Sequence, residues 1–132
     1  MTREIKISTY SRDQFIDITR EVDEMLRHSS VSDGLCTIFV PHTTAAVTIN
    51  ENADTDVRAD IIRELDKTVP HCDGYSHFEG NSAAHIKSSL IGASETVIIR
   101  DGRLLLGTWQ GIYFCEFDGP RNRKLIVKIM EG

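Results

Sequence analysis

The chain has 132 residues and a formal net charge of −5, with 40% hydrophobic and 27% charged residues. This length fits a single domain, residues 1–132, that buries a core without disulfides or a structural metal. The acidic balance argues against a nucleic-acid partner, because proteins that bind nucleic acids usually present a basic face. The sequence contains no apolar run of about 18 residues that would span a membrane, and its polar start predicts no signal peptide.

Four strands and two helices are predicted in the first 70 residues. Alternating or β-branched apolar runs predict strands at residues 4–8, 15–18, 35–40 and 46–49. Residues 11–18 also fit the start of a longer helix with a capping box, but we prefer a strand followed by a helix that Thr19 caps and that continues to about His28. Asp54 or Thr55 caps the second helix, which ends before Pro70.

One helix and four strands are predicted in the rest of the chain. After a loop at residues 71–80, Asn81 caps a helix that ends at Leu90 and is closed by Gly92. The strands are expected at residues 95–100, 103–106, 111–117 and 123–130, and Asp101-Gly102 is a strong hairpin signal. About eight mainly antiparallel strands with three helices indicate an α+β fold in which helices pack on a sheet or sandwich.

The three cysteines indicate a reducing compartment rather than a disulfide framework. Their number is odd and no two are spaced as C-x-x-C. Cys36 and Cys115 lie in apolar strands and are expected to be buried free thiols. Cys72, which follows His71, has no second thiol to share a metal with and stays unassigned. We expect a cytoplasmic protein.

Three histidines lie in polar segments next to predicted strand ends and helix starts. His42 precedes two threonines, and His77 and His85 lie eight residues apart across a loop and a helix start. Imidazole is the commonest metal ligand in proteins. A metal site at these histidines is therefore one interpretation. The alternative is that His42 is satisfied within its loop and His85 is hydrogen-bonded against the core.

The segment at residues 50–56 is rich in oxygen ligands but lacks the spacing of a calcium loop. Asp54 and Asp56 are explained by capping and by the helix dipole. Glu51 and Asn52 are not explained in this way, which makes them better candidates for a functional site.

A glycine-flanked segment at residues 107–111 predicts a bulge or a close backbone approach. Trp109 in this segment could stack on a planar ligand, while Gln110 reads the polar edge of that ligand. From the residues alone, a core tryptophan at a strand bend is the favoured interpretation.

Five short motifs occur in order along nearly the whole chain and together resemble the YjbQ family of small prokaryotic proteins. They are His42-Thr43-Thr44-Ala45, Ile49-Asn50-Glu51-Asn52, residues 81–87 (NSAAHIK), residues 106–110 (LGTWQ) and residues 116–121 (EFDGPR). Each motif is weak alone, but the ordered set is highly specific. The resemblance implies an α+β fold with a β-sandwich core, assembled as a homotrimer. It also implies that His42, His77 and His85 meet in a polar pocket that holds a divalent metal or an oxyanion.

The resemblance further implies a weak or secondary thiamine-phosphate synthase activity, in which a pyrimidine alcohol diphosphate is joined to a thiazole phosphate. In that reaction the metal ligands would be His42, His77 and His85. The catalytic groups would be Glu51, Asn52, His77 and Lys87. The ligand-binding groups would be Thr43, Thr44, Trp109, Gln110 and Arg121.

Two other functions use the same residues. One is the non-catalytic binding of a metal or a small phosphorylated ligand, and the other is metal-dependent hydrolysis. The metal would be zinc or magnesium. Histidines favour zinc, whereas magnesium prefers oxygen ligands and the chain has no aspartate-rich cluster for it.

A trimer is also expected from the last strand. Leu125, Val127 and Ile129 lie on one face and Ile126 and Met130 on the other, and both faces cannot be exposed to water.

Overall fold

The computed structural model describes residues 1–132 and contains eight strands and three helices, which confirms the expected α+β fold. The strands are β1 (Thr2–Ser8), β2 (Gln14–Asp17), β3 (Gly34–Phe39), β4 (Ala45–Glu51), β5 (Ser94–Arg100), β6 (Arg103–Leu104), β7 (Gln110–Glu116) and β8 (Asn122–Glu131). The helices are α1 (Thr19–Ser29), α2 (Thr55–Thr68) and α3 (Ser82–Ile91). None of the three helices is long and apolar enough to cross a membrane.

The strands form two antiparallel sheets. The larger sheet has the order β1-β8-β3-β5-β6 and the smaller one has the order β2-β7-β4. Both sheets contribute to one apolar core, in which Ile38 and Ile129 of the first sheet join Val47 and Phe114 of the second. The sheets therefore pack face to face as the expected sandwich.

The last strand alternates between the core and the surface. Leu125, Val127 and Ile129 are at most 2% exposed, while Met130 is 51% exposed. Such a period of two follows from the geometry of a strand, whose successive side chains point to opposite faces. One face of β8 thus fills the core and the other remains open.

Two of the expected helix caps differ from the structure. Thr19 is the first residue of α1 rather than its cap, and Asp17 Oδ1 accepts hydrogen bonds from the Thr19 N–H and hydroxyl. Asn81 precedes α3 but makes no side-chain capping bond: its Nδ2 donates to Asp118, and its Oδ1, the atom that would accept from the helix, has no partner. The Thr19 hydroxyl also accepts a hydrogen bond from the Ile112 N–H, so a tertiary contact is present at both helix starts. Asp54 caps α2 as expected.

Candidate functional site

His77 and His85 are direct neighbours. Their ring centres lie 5.5 Å apart with the ring planes at 88°, and both line a cavity of about 410 Å³ together with Tyr75, Ser76 and Ser82. Helix α3 presents His85 from its first turns, and the loop before α3 carries His77 back over it. The eight-residue separation in sequence is therefore closed by the fold.

The pair fits two ligands of one tetrahedral metal. With Zn–N bonds of about 2.0–2.1 Å, two imidazoles on one zinc have their ring centres roughly 5 Å apart. Within the chain, no group of three or more His, Cys, Asp or Glu side chains is placed to hold a metal ion. A metal held by His77 and His85 would therefore need a further ligand from outside the pair.

His42 is positioned by the end of strand β3. Phe39 pairs with Ile126, so continuing the register would place Pro41 opposite Lys124. Proline has no N–H to donate, and the strand ends there. The imidazole of His42 contacts the Lys124 backbone where the next strand residue would have paired. Its Nε2 lies 3.1 Å from both the backbone nitrogen and the backbone oxygen of Lys124.

The environment of His42 favours its neutral form. Burial lowers the pKa of its imidazole, and the nearby Arg123 charge lowers it further. In the neutral ring Nε2 either accepts from the Lys124 N–H or donates to the Lys124 carbonyl, and the tautomer fixes whether Nδ1 is a donor or an acceptor. His42 can therefore serve an oxyanion through Nδ1–H, or a metal through the Nδ1 lone pair.

His85 connects the three histidines. It lines the cavity with His77 and also a second cavity of about 520 Å³, whose walls include His42, Thr43 and Ser88. The structure thus brings His77 and His85 into contact and places His42 across a shared cavity from His85. A single site that includes all three histidines remains a prediction.

Four of the predicted site residues form a separate cluster at the far end of β4. Glu51 pairs with Gln110, and the Asn52 N–H donates to the Trp109 carbonyl. His42 precedes the start of β4, which is seven residues long and spans roughly 20 Å at about 3.4 Å per residue. Within a single subunit, this cluster and the three histidines therefore do not form one site.

Trp109 is exposed over 63% of its surface, so the expectation of a core tryptophan is wrong. Asn52 donates its side-chain amide to Asp17, which orients it beside the start of α1. The glycine at position 111 is required here, because a Cβ would lie 2.5 Å from the Asn52 amide nitrogen. The cluster therefore lies at the surface.

Lys87 is occupied by carboxylates. Its side chain is 3% exposed, and its ammonium donates to Asp13 at 2.6 Å and to Asp66. Burial alone would raise the pKa of Asp66, but the hydrogen bond from Lys87 and the charges of Lys87 and Arg12 hold it below its ordinary value. Lys87 lines neither histidine cavity. The geometry therefore gives it a structural role between α2, α3 and the loop before β2.

Arg123 and Glu116 form a buried ion pair beneath the His42 loop, which the sequence did not reveal. Arg123 donates through Nε and Nη2 to the Glu116 carboxylate, and through Nη2 to the carbonyl and hydroxyl of Thr44. Burial alone would raise the pKa of Glu116, but hydrogen bonds from Arg123, the Asp118 N–H and Thr9 hold it below its ordinary value. Thr44, predicted as a ligand-binding residue, is held within this network.

Thr43 and Arg121 remain near His42. Both line a third cavity of about 560 Å³ with His42. The Arg121 guanidinium donates to the backbone and the carboxylate of Asp118, which leaves one terminal nitrogen free. Their ligand-binding roles remain predictions.

The cysteines occupy the expected positions. Cys36 and Cys115 are buried, and burial raises the pKa of the Cys36 thiol to about 11 and that of Cys115 further. A thiol in this state is a poor nucleophile and a poor metal ligand. Cys72 and His71 are exposed in the loop before α3.

Comparisons with known proteins cover nearly the whole chain. A family model described as UPF0047 protein YjbQ-like matches residues 3–132. UPF0047 protein YugU of Bacillus subtilis is 53% identical over 131 residues, which are 98% of this chain and 99% of YugU. A YjbQ/UPF0047 crystal structure from Clostridium acetobutylicum is 58% identical with a TM-score of 0.96, covering 97% and 99% of the two chains. A YbjQ-like protein from Sulfolobus solfataricus is 32% identical with a TM-score of 0.97, covering 100% and 97%. The chain belongs to the YjbQ-like UPF0047 family.

Proposed function

We propose that this protein binds a divalent transition metal between His77 and His85 and acts on a small phosphorylated molecule. The observation that carries the proposal is the pair of perpendicular imidazoles, 5.5 Å apart, on the wall of one cavity. When bound, such a metal would polarise a phosphoryl oxygen of the ligand. Nitrogen ligands favour zinc or a neighbouring transition metal over magnesium.

The first reaction to test is transfer of the thiamine-phosphate synthase type. Its diphosphate leaving group needs cations or hydrogen-bond donors on its oxygens as charge develops. Lys87 is occupied by Asp13 and Asp66, so Arg121 is the predicted cation that remains beside His42. Hydrolysis of a phosphate ester uses the same residues and suits a zinc-type site better.

A non-catalytic binding protein is the second candidate. The observation in its favour is that Glu51 and Asn52, two of the predicted catalytic residues, lie at the opposite end of β4 from His42. A neighbouring copy in a trimer could supply them, whereas a binding protein would not need them.

Metal analysis of untagged protein, followed by turnover assays with zinc, manganese and magnesium, separates these functions. Formation of thiamine phosphate supports the transferase, and release of phosphate from an ester supports the hydrolase. Stoichiometric metal without either product supports the binding protein. Protein that takes up none of the three metals would contradict the proposal.

Metal occupancy is expected to fall as the pH drops through about 6, near the ordinary imidazole value. A histidine ligand must be neutral, so protons compete with the metal. A site on Glu51, Asp54 and Asp56 would instead keep its metal down to roughly pH 4–5, as set by ordinary carboxyl values. Titration of metal release against pH distinguishes the two, and release only in the lower range would move the site to the acidic segment.

We also propose that the protein assembles as a homotrimer through the outer face of the larger sheet. Leu35 pairs with Met130 on one side and with Ile98 on the other, so the three side chains form a row across β8, β3 and β5. They are 44%, 51% and 55% exposed, and Phe39 on the same strand is 44% exposed. An apolar row of this kind is typical of an interface between subunits.

Light scattering at micromolar concentration is expected to give the mass of a trimer. Leu35→Glu should shift the protein toward monomers, because it places a charge in the middle of the apolar row. Leu90→Glu is the matched control, since Leu90 is 62% exposed on α3, and it should leave the mass unchanged. A stable wild-type monomer would be decisive against the trimer.

A further inference from the structure

Ser88 is a buried hydroxyl without a partner. It lies on α3, one turn after His85, and is 8% exposed, and its Oγ makes no hydrogen bond. Leaving a buried polar group unpaired costs free energy, so such a group needs an explanation. Ser88 also lines the cavity that His42 and His85 share. Ser88 therefore places an unpaired hydroxyl donor in the wall of that cavity.

The charges around His42 indicate an anionic acceptor. Three cavities share His42 in their walls, and together they contain four cationic side chains and no carboxylate. The cations are Lys6, Arg121, Arg123 and Lys124. Their partners, where they have them, are Asp118, Glu116 and Glu4, which lie outside these walls. Three of the four cations are thus paired and Lys6 has no ion-pair partner, so the walls present cationic donors and no competing carboxylate.

Two of these cations oppose each other directly. Lys6 is the register partner of Lys124 on the neighbouring strand, and both line the same cavity of about 550 Å³. Like charges in such positions destabilise a sheet. A bound anion nearby would relieve that repulsion.

His42 completes the set of donors. When its Nε2 accepts from the Lys124 N–H, the neutral ring carries its proton on Nδ1 and can donate it. Two neutral donors, Nδ1–H and the Ser88 hydroxyl, then belong to one cavity, and the adjoining cavities carry cations and no carboxylate. Oxyanions bind to such groups of hydrogen-bond donors.

We infer that the cavity between His42 and α3 binds a phosphate-type oxyanion and that Ser88 donates its hydroxyl to it. The inference rests on the proposed function for the class of ligand, since a phosphorylated molecule would place its phosphoryl group here, next to the metal. Phosphate binding itself requires no metal, so the two ideas can be tested apart.

The test measures inorganic phosphate binding to the untagged full chain in EDTA, by calorimetry and by thermal unfolding, at constant ionic strength set with chloride. Wild-type protein is expected to bind phosphate and to unfold at a higher temperature in its presence. Ser88→Ala should weaken phosphate binding about 10-fold or more, as expected for the loss of a hydrogen bond to a charged group. Without phosphate, the same variant should unfold a few degrees higher (about 2–5 °C), because it removes an unsatisfied buried hydroxyl.

Ser29→Ala is the matched control. The Ser29 hydroxyl donates to the Leu26 carbonyl at the end of α1, and Ser29 lines none of the His42 cavities, so its loss should leave phosphate binding unchanged. As a second measurement, phosphate should shift the ring resonances of His42 in histidine-labelled protein and leave those of the distant His28 in place.

Wild-type affinity for phosphate in Ser88→Ala would overturn the inference. So would a wild-type protein that phosphate stabilises no more than chloride does. Either result leaves the metal proposal standing, because metal uptake is measured separately. Wild-type protein that binds phosphate but takes up no metal would refute the metal proposal alone.

Discussion

Replacing His77 by alanine is expected to abolish metal binding and leave the fold intact. Its side chain is 42% exposed and its one charged neighbour, Glu79, is 3.8 Å away, so little packing is lost. The free energy of unfolding without metal should change by no more than about 0.5 kcal/mol, as for most surface substitutions. Removing one of the two clustered imidazoles leaves a single histidine at the site, which should not retain zinc at micromolar concentration. The measurement is metal stoichiometry after dialysis, together with circular dichroism.

His71→Ala is the matched control, because His71 is an exposed histidine in the same loop and lines neither histidine cavity. It should keep wild-type metal content. If His77→Ala also keeps wild-type metal content and activity, the His77–His85 pair is not the metal site. If His77→Ala unfolds, metal binding is linked to folding, and the wild type should then lose stability on chelation.

The order and type of the elements were predictable because local signals agree with the final packing. Asp101 and Gly102 adopt φ values of +53° and +71°, the left-handed conformation that an Asp-Gly hairpin turn requires. Apolar and polar residues alternate along β8 in the sequence, and buried and exposed side chains alternate along it in the structure. The end of β3 before Pro41 was also predictable, because proline has no backbone N–H to donate to a neighbouring strand.

The capping and burial details were less predictable, since tertiary contacts decide them. Asn81 has the local chemistry of a helix cap, yet Asp118 from a distant loop takes its amide. The apolar residues Ile61 and Leu65 of α2 are only partly buried, against a second apolar cluster. Neither outcome is encoded within the helix concerned.

In the candidate site, too, the features that depend on tertiary contacts could not be predicted from the sequence. His77 and His85 meet because a loop turns back over α3, and no periodicity in the sequence reports such a turn. The separation of Glu51 from His42 follows from the length of β4, which was underestimated from its apolar core alone. Nothing in the sequence pairs Arg123 with Glu116, since the two are on different strands and both interrupt apolar runs.

Replacing Arg123 by methionine is expected to cost about 3–5 kcal/mol of unfolding free energy, the typical effect of removing one member of a buried ion pair. Glu116 is 0% exposed, and without Arg123 its carboxylate would keep only Thr9 and the Asp118 N–H as donors. A domain of this size has a total stability of roughly 5–15 kcal/mol, so the loss would be severe. The loss should also free the His42 loop, because Arg123 holds Thr44.

Urea unfolding of three variants and a pH series test the pair. Lys124→Met is the matched control, since this neighbouring lysine makes an exposed ion pair with Glu4 and should contribute at most about 1 kcal/mol. The double variant Arg123→Met with Glu116→Met should recover much of the lost stability, because no unpaired charge remains buried. The pKa of Glu116 is lower in the folded state than its ordinary value of 4.5. Its contribution to wild-type stability should therefore be complete above pH 4.5 and decline as the pH falls through the folded-state pKa. Equal effects of Arg123→Met and Lys124→Met would show that the ion pair does not stabilise the fold.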